Sequence, residues 1–150
     1  ECAMNEKDVE IRPFRSDDYD AVLALWKVCG LPYKPNGRDS REKILNEITR
    51  ETATFLVAIS GEKLIGTVLA THDGRKGWIN RLAVAPEFRR RQLAQRLLGE
   101  AEKALYDRGL EIIACLIEED NQGSMSFFQK AGYDKHTDII YFSKRRHADV

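Results

Sequence analysis

The length and charge of the chain exclude several classes of protein. Its 150 residues can form one domain with a substantial core, and 24 basic against 24 acidic residues give a formal net charge of zero at pH 7. A balanced charge argues against a dedicated binder of nucleic acid or of an anionic membrane surface. No run of eighteen apolar residues is present that could span a membrane. We therefore expect no nucleic-acid partner and no membrane partner.

Cysteine and histidine usage narrows the class further. The cysteines are odd in number and scattered, so they form no disulfide framework (Cys2, Cys29 and Cys115). The histidines lack metal-ligand spacing with one another or with the cysteines, so no metal site is predicted (His72, His136 and His147). The first eight residues also lack the apolar centre of a signal peptide. We expect a cytoplasmic protein of a reducing compartment.

The first third of the chain predicts a strand followed by two helices. Residues 9–14 favour a strand, and Ser16 offers an N-cap for a helix with one apolar face. The loop 30–39 is rich in proline, glycine and asparagine. It leads into a second helix that starts at Asp39 or Ser40.

The middle of the chain predicts three antiparallel strands in a meander. Residues 54–60 and 64–71 form a hairpin around the tight turn 61–63, and residues 73–77 turn the chain into a strand at 78–84. The three strands therefore lie side by side in one sheet.

The last third alternates helices and strands. A long amphipathic helix runs to Arg108, and the apolar run 112–117 follows it as a strand parallel to strand 78–84. A short helix at 121–131 and a final strand at 136–143 complete the order βααβββαβαβ. The fold class is α/β with a mixed sheet.

The junction between strand 78–84 and the long helix is the most informative stretch. The strand breaks at Pro86, and Arg89, Arg90 and Arg91 precede the first turn of the helix. Free N–H groups and a partial positive charge at a helix N-terminus bind multiply charged anions such as pyrophosphate. The dipole alone contributes only ~0.3–1 kcal/mol, so the arginines must supply much of the affinity. The alternative is a solvated run of charge without a ligand.

This junction resembles a known motif. The stretch LAVAPEFRRRQLAQRLL is similar to the acyl-CoA-binding motif of the GNAT family of N-acetyltransferases. Arg89 matches the first basic position of that motif and Ala94 its last small residue, whereas Gln92 stands where the family usually has glycine. Residues 121–133 resemble the second family motif, and the opening IRPFRSDDY resembles the bacterial YpeA-like branch.

The resemblance covers roughly residues 9–145 and implies the fold, the ligand and the domain organisation. A GNAT-like acyl-CoA N-acyltransferase fold has two parallel strands that splay apart at the cofactor cleft, with acetyl-CoA as co-substrate. We expect one N-acetyltransferase domain over residues 1–150, with a flexible N-terminal tail at 1–8 and a C-terminal tail at 146–150.

The resemblance also implies which residues hold acetyl-CoA. The pyrophosphate lies at residues 89–95, the pantetheine arm follows strand 78–84, and Asn121 contacts the arm. The alternative for Asn121, less favoured, is an ordinary N-cap of the following helix, and one side chain can cap the helix while also binding the arm. The implied cofactor-binding residues are Leu82, Ala83, Val84, Arg89, Arg90, Arg91, Gln92, Leu93, Ala94, Gln95, Asn121 and Phe128.

The group that deprotonates the amine is less well defined. At pH 7, deprotonation of a lysine amine with a pKa of ~10.4 costs about 4.6 kcal/mol, against about 1 kcal/mol for an α-amine. Many relatives use a glutamate on the strand that precedes the pyrophosphate-binding junction. Strand 78–84 of this chain contains neither Asp nor Glu. Glu118 is the favoured catalytic base. A water chain, an α-amine that needs no base, or another nearby side chain remain open (Glu119, Asp120, His72 and Asp73).

The group that protonates the leaving thiolate is also missing from its usual place. The family generally has a tyrosine where this chain has Phe128. Solvent, Tyr133 and Tyr141 are the alternatives. Cys115 lies in an apolar strand and is interpreted as a packing residue rather than a nucleophile.

The leading hypothesis is therefore an acetyltransferase that acts on a primary amine by direct attack on acetyl-CoA. The acceptor is the amine of a small molecule, a protein N-terminus or a lysine. Loop 30–39 and residues 133–138 line its side of the cleft, and pairing through the last strand would allow a homodimer. The rival hypotheses are an acyl-CoA-binding module without turnover and, less favoured, a nucleic-acid-binding domain.

Overall fold

The computed structural model describes residues 8–90 and 92–150 of the chain. Two single-turn 3₁₀ helices, at Ser16–Asp18 and Pro86–Phe88, accompany the longer elements. These elements are β1 (Val9–Pro13), α1 (Tyr19–Val28), α2 (Arg41–Ile48), β2 (Ala53–Ser60), β3 (Lys63–His72), β4 (Gly77–Val84), α3 (Leu93–Tyr106), β5 (Ile113–Ala114) and α4 (Gln122–Lys130).

Five strands form one mixed sheet in the order β1-β2-β3-β4-β5. The first four are antiparallel neighbours, as the meander of alternating apolar residues predicts. β5 joins β4 in parallel, because α3 returns the chain to the same end of the sheet. The predicted mixed α/β architecture is confirmed.

The long helix α3 covers one face of the sheet. Its apolar stripe is buried, with Leu97 and Leu105 fully inaccessible to solvent. Two glycines make this close packing possible, since a Cβ built on Gly66 would lie 2.8 Å from Leu97 Cδ1, and one on Gly77 would lie 2.8 Å from Leu105 Cδ1. A larger residue at either position would force the leucine side chain that packs over it to move.

The sheet opens between β4 and β5. Only two residue pairs connect these strands, Gly77 with Ile113 and Trp78 with Ala114. Beyond Trp78, the remaining residues of β4 have no strand neighbour on that side among the described residues. The predicted separation of two parallel strands is therefore present, and it exposes main-chain groups of β4 toward the end that leads to α3.

Two predicted elements differ from the structure. The strand predicted at 112–117 shortens to Ile113–Ala114, and the final strand predicted at 136–143 is wrong, because that segment has no regular secondary structure. Its side chains are open to solvent, with Phe142 88% exposed. A strand needs a neighbour that supplies hydrogen bonds, and a two-residue β5 offers almost none.

The remaining observations concern the helix starts and the ends of the chain. Of the two proposed starts for the second helix, Ser40 is the N-cap, and its hydroxyl oxygen accepts the Lys43 N–H at 3.3 Å. In the part of the chain that the structure describes, no helix is long and apolar enough to cross a membrane. The tail predicted at 1–8 lies, except for Asp8, outside the described residues.

Candidate active site

A cleft opens where β4 ends and α3 begins. It has a volume of about 260 Å³, and the chain between the two elements forms its floor. Seven of the predicted cofactor-binding residues line it (Val84, Arg89, Arg90, Gln92, Leu93, Ala94 and Gln95), together with Phe88 and Phe127. The strand–helix junction that the sequence singles out is therefore a concave site, and Arg91 lies outside the described residues.

The backbone of the junction takes a left-handed conformation at two positions. Arg90 has φ 65° and Gln92 has φ 62°, and Gln92 is the N-cap of α3. This conformation favours glycine, because a Cβ there crowds the neighbouring carbonyl. The geometry therefore explains why a glycine suits the position of Gln92, and this chain keeps the turn with a longer residue.

Positive charge and free N–H groups meet at this turn. The Arg96 N–H donates to the Gln92 carbonyl at 3.0 Å and closes the first turn of α3. The N–H groups of Leu93, Ala94 and Gln95 precede this bond and point out of the helix end. Arg89 and Arg90 are both exposed beside them. Such a site suits a pyrophosphate.

Arg89 also forms a hydrogen bond within the protein. Its Nε–H donates to the main-chain carbonyl of Val84 at 3.1 Å, and the Cys29 thiol donates to the same oxygen at 3.4 Å. The guanidinium carries four further N–H donors that this bond does not use. Arg89 therefore fixes the end of β4 and still presents charge to the cleft.

A bulge lies in β4 just before the cleft. The pairing with β3 shifts between Thr67 and Leu69, and Arg81 takes a left-handed conformation with φ 55°. The shift places Arg81 and Leu82 opposite a single β3 residue, which turns the following main chain. Leu82 and Ala83 do not line the 260 Å³ cleft; they lie on the free part of β4 that leads into it.

The residues predicted on α4 separate into two roles. The Asn121 side-chain oxygen accepts the Ser124 N–H at 3.1 Å, so Asn121 is the N-cap of α4, one of the two interpretations of this residue. Phe128 is 7% exposed and packs edge-on against Phe127 and Tyr133. Phe128 belongs to the core and does not line this cleft, whereas its neighbour Phe127 does.

The candidate bases lie at different ends of β4. Glu118 lies on the segment that follows β5 (Ile113–Ala114), and its side chain is exposed. His72 ends β3 opposite Gly77 and Asp73 follows it in the turn, so both lie roughly 23 Å from Val84 at ~3.3 Å per residue along β4. This distance disfavours them as bases near the β4–α3 cleft. The main-chain N–H groups of Lys76 and Arg75 hold the Asp73 carboxylate in that turn and lower its pKa.

The alternative proton donor Tyr133 is engaged in a hydrogen bond, and Cys115, which directly follows β5, is half-buried. The Tyr133 hydroxyl donates to the Glu102 carboxylate of α3 at 2.9 Å, and burial together with that carboxylate raises the pKa of Tyr133. Burial raises the pKa of the Cys115 thiol to about 11. Tyr141, the other alternative donor, is 69% exposed on the C-terminal segment. The raised pKa values of Tyr133 and Cys115 disfavour proton transfer from the first and nucleophilic attack by the second near neutral pH.

A buried ion pair adjoins the bulge, and the sequence does not reveal it. The Arg81 guanidinium donates to both carboxylate oxygens of Asp39 at 3.1 and 3.0 Å, and Asp39 is 7% exposed. Burial lowers the pKa of Arg81, although its charge is retained at physiological pH. Arg81 also donates to the Pro32 carbonyl, so it ties the loop between α1 and α2 to β4.

Neighbouring side chains hold this pair in place. The Trp26 ring lies 4.6 Å below the Arg81 guanidinium, and the Trp26 indole N–H donates to the Thr67 hydroxyl at 3.0 Å. The Tyr19 hydroxyl donates to the Asp39 carbonyl at 2.6 Å. Helix α1 therefore packs against the ion pair and supports it. The loop 30–39, which we expected to line the acceptor side, is rigidly attached to the bulge through this pair.

Comparison with known proteins decides the family. The sequence profile of the Acetyltransferase (GNAT) family matches residues 19–133, which is more than half of the chain. The chain belongs to the GNAT family. Acetyl-CoA is therefore the co-substrate of this acetyltransferase.

Individual relatives agree with this assignment. The chain is 38% identical over 138 residues to the acetyltransferase plu1384 of Photorhabdus laumondii, covering 91% of this chain and 95% of that protein. The PaiA N-acetyltransferase of Thermoplasma acidophilum, solved with coenzyme A, superposes with a TM-score of 0.73 at 25% identity, over 82% of this chain and 87% of the other. AAC(6′)-Iy, solved with the bisubstrate analogue CoA-S-monomethyl-acetylneamine, shares the fold with a TM-score of 0.76 at 17% identity, over 91% and 98% of the two chains.

Proposed function

We propose that this acetyltransferase moves the acetyl group of acetyl-CoA to a primary amine of a small molecule, a protein N-terminus or a lysine, by direct attack. The observation that carries the proposal is the free part of β4 beyond the Trp78–Ala114 pair, which ends at the α3 N-terminus. A pyrophosphate at Leu93–Gln95 would direct the rest of the molecule along Leu82, Ala83 and Val84, toward the bulge. The thioester then lies where an amine can reach it.

The bulge supplies the polar environment that the reaction needs. As the amine attacks the carbonyl carbon, negative charge develops on the thioester oxygen and must be stabilised by a donor. Main-chain N–H groups that β5 leaves unpaired beside Leu82 and Val84 are the donors we propose. They are fixed in place, because Arg81 is held by Asp39 and the end of β4 by Arg89.

Proton transfer takes place at the mouth of the cleft. Glu118 is the proposed base, supported by its position on the segment that follows β5, and its exposed carboxylate would act through water. Phe128 offers no proton to the leaving thiolate, so we propose that solvent protonates it; a free thiol has a pKa of only ~8.5. Because the pKa of Cys115 is raised to about 11, an acetyl-cysteine intermediate is disfavoured and direct transfer is preferred.

The test is release of coenzyme A thiol from acetyl-CoA in the presence of a panel of amines, with mass spectrometry of the products. We expect thiol release with at least one primary amine, a product heavier by one acetyl group, and rates that require both substrates to be bound together. Thiol release no faster than in the absence of amine, for every amine on the panel, would overturn the proposal. An acetylated protein intermediate would overturn direct attack.

A further inference from the structure

A buried hydroxyl group of β3 binds the main chain of the bulge in β4. Thr67 is fully inaccessible to solvent, and its hydroxyl donates to the main-chain carbonyl of Arg81 at 2.8 Å. This carbonyl belongs to the residue with φ 55°, at which β4 gains its extra position relative to β3. A side chain therefore completes the hydrogen bonding at the point where the regular pairing of the two strands is interrupted.

The direction of this hydrogen bond is determined by Trp26. The indole N–H of Trp26 can only donate, and it donates to the Thr67 hydroxyl oxygen at 3.0 Å. The hydroxyl hydrogen is thus left for a different acceptor, and the Arg81 carbonyl oxygen, which can only accept, takes it. Because Trp26 and Thr67 are both buried, this orientation does not depend on solvent.

The peptide group that carries this carbonyl also carries the N–H of Leu82. A trans peptide group is planar, so its C=O and its N–H point in opposite directions. The carbonyl is directed at Thr67 on β3, and the N–H is therefore directed away from β3. On that side β4 has no strand neighbour beyond Trp78 in the described part of the chain. The Thr67 hydroxyl thus sets the direction of an N–H group that faces the open part of the sheet.

The Leu82 N–H is one of the donors that we propose for the thioester oxygen. Donors that stabilise a developing negative charge are most effective when they are oriented before the reaction, because no reorganisation is then needed. The regular pairing of β3 and β4 is interrupted here, and Arg81 has a left-handed conformation that side chains disfavour. The hydrogen bond from Thr67 holds this peptide group in one orientation.

We propose that Thr67 is a positioning residue for acetyl transfer, which fixes the Arg81–Leu82 peptide group so that the Leu82 N–H donates to the thioester carbonyl oxygen. This inference rests on the proposed function. Because Thr67 is fully buried, its hydroxyl acts on the reaction only through the main chain. We expect its effect on the reactivity of the bound acetyl group and not on the affinity for the coenzyme A part of the molecule.

The kinetic test removes the hydroxyl and keeps the shape of the side chain. In Thr67→Val, we expect kcat with the best amine of the panel to fall at least tenfold, while the KM for acetyl-CoA and the Kd for coenzyme A change less than twofold. Thr67→Ser retains the hydroxyl and should recover at least half of the wild-type kcat. The matched control is Thr71→Val, on the same face of β3 but opposite Trp78, which should change kcat less than twofold.

Infrared spectroscopy of bound acetyl-CoA, labelled with ¹³C at the acetyl carbonyl, tests the hydrogen bond without turnover. A carbonyl that accepts a hydrogen bond absorbs at a lower frequency than the same group without one. We expect the band in Thr67→Val at a higher frequency than in the wild type, Thr67→Ser and Thr71→Val. If no amine on the panel is acetylated and the band still shifts in this way, the proposed function fails and the role of Thr67 stands.

Thr67→Val leaves the Trp26 N–H without its acceptor, so it should melt below the wild type, and every measurement is made below that melting temperature. If it does not fold, Thr67→Cys replaces it, because a thiol is a weaker donor, and we expect a smaller fall in kcat and the same direction of the band shift. A band at the wild-type frequency in the variant that lacks the hydroxyl would overturn the proposal, whether or not kcat falls. An unchanged kcat, or an equal loss in Thr67→Ser, would also overturn it.

Discussion

Asp39 and Arg81 are joined by two hydrogen bonds of 3.1 and 3.0 Å, although 42 positions separate them in the chain. Both side chains are largely inaccessible, with 10% of the Asp39 side chain and 16% of the Arg81 side chain exposed. The pair connects the loop between α1 and α2 to the bulge of β4. It therefore fixes the loop that we propose lies on the acceptor side relative to the strand that we propose holds acetyl-CoA.

Removing the Asp39 charge should destabilise the protein strongly. Asp39→Asn leaves the Arg81 guanidinium buried without its counter-charge, and we expect a loss of about 3 kcal/mol in the free energy of unfolding. The control is Asp20→Asn, which breaks an ion pair with Arg41 whose Asp20 side chain is 87% exposed and should cost about 0.5 kcal/mol. Urea denaturation measures both, and similar losses in the two variants would contradict the role of the buried pair.

The left-handed N-cap of α3 predicts a stabilising substitution. Gln92 has φ 62°, so Gln92→Gly should raise the free energy of unfolding by about 0.5–1 kcal/mol. The same change three residues later, Gln95→Gly, lies inside the helix and should lower it by about 1 kcal/mol. Opposite signs in thermal or urea denaturation support the geometry of the turn. A destabilised Gln92→Gly variant would show that its side chain contributes more than its backbone strain costs.

The role that we propose for Arg90, binding the pyrophosphate, can be distinguished from a general effect of its charge. Arg90 is exposed beside the α3 N-terminus, and Arg90→Gln should weaken binding of acetyl-CoA roughly tenfold at low salt and less at high salt. Acetyl-pantetheine, which lacks the pyrophosphate, should bind the variant and the wild type equally. Lys103→Gln removes an exposed charge in the last turn of α3 and is the matched control. Equal weakening for both ligands would place the pyrophosphate away from Arg90.

Tyr133 should matter for stability and not for catalysis. Its hydroxyl donates to Glu102, so Tyr133→Phe should lower the free energy of unfolding by about 1 kcal/mol. Because that hydroxyl is engaged with α3, kcat should change less than twofold. Steady-state kinetics with acetyl-CoA and the best amine of the panel provide the measurement. A tenfold fall in kcat would instead identify Tyr133 as the acid that protonates the thiolate.

The buried Cys115 thiol should resist alkylation in the folded protein. Burial raises its pKa from an ordinary value of 9.0 to about 11, so almost no thiolate is present at pH 8. We expect iodoacetamide to modify Cys115 slowly at pH 8 and faster as the pH approaches 11, as followed by peptide mass spectrometry. The unfolded thiol ionises first, so this group lowers the stability of the fold between about pH 9 and 11. Rapid modification at pH 8 would contradict the burial.

Local patterns predicted the frame of the site well. The apolar stripe of α3 depends only on spacing along one helix, and the strands of the meander alternate around short turns. The anion site at Arg89 and Arg90 was predicted from the break of the strand at Pro86, just before that helix. These features are encoded within a few residues of one another, so the sequence alone was sufficient.

The sequence did not predict features that depend on the rotation of a helix about its axis or on partners that are distant in the chain. Phe127 and Phe128 are adjacent, and about 100° of helical rotation decides which of them faces the cleft. Asp39 resembled a helix start, but its carboxylate binds Arg81 on another element. The apolar residues of 136–143 favoured a strand, and the absence of a long neighbour in β5 outweighs that preference.

A crystal structure of the protein with coenzyme A bound would test the central claim most directly. The account predicts pyrophosphate oxygens within about 3 Å of the main-chain N–H groups of Leu93, Ala94 and Gln95, with the pantetheine arm along the free part of β4. Coenzyme A bound away from the β4–α3 junction, or a cleft filled by the protein's own side chains in the complex, would contradict it.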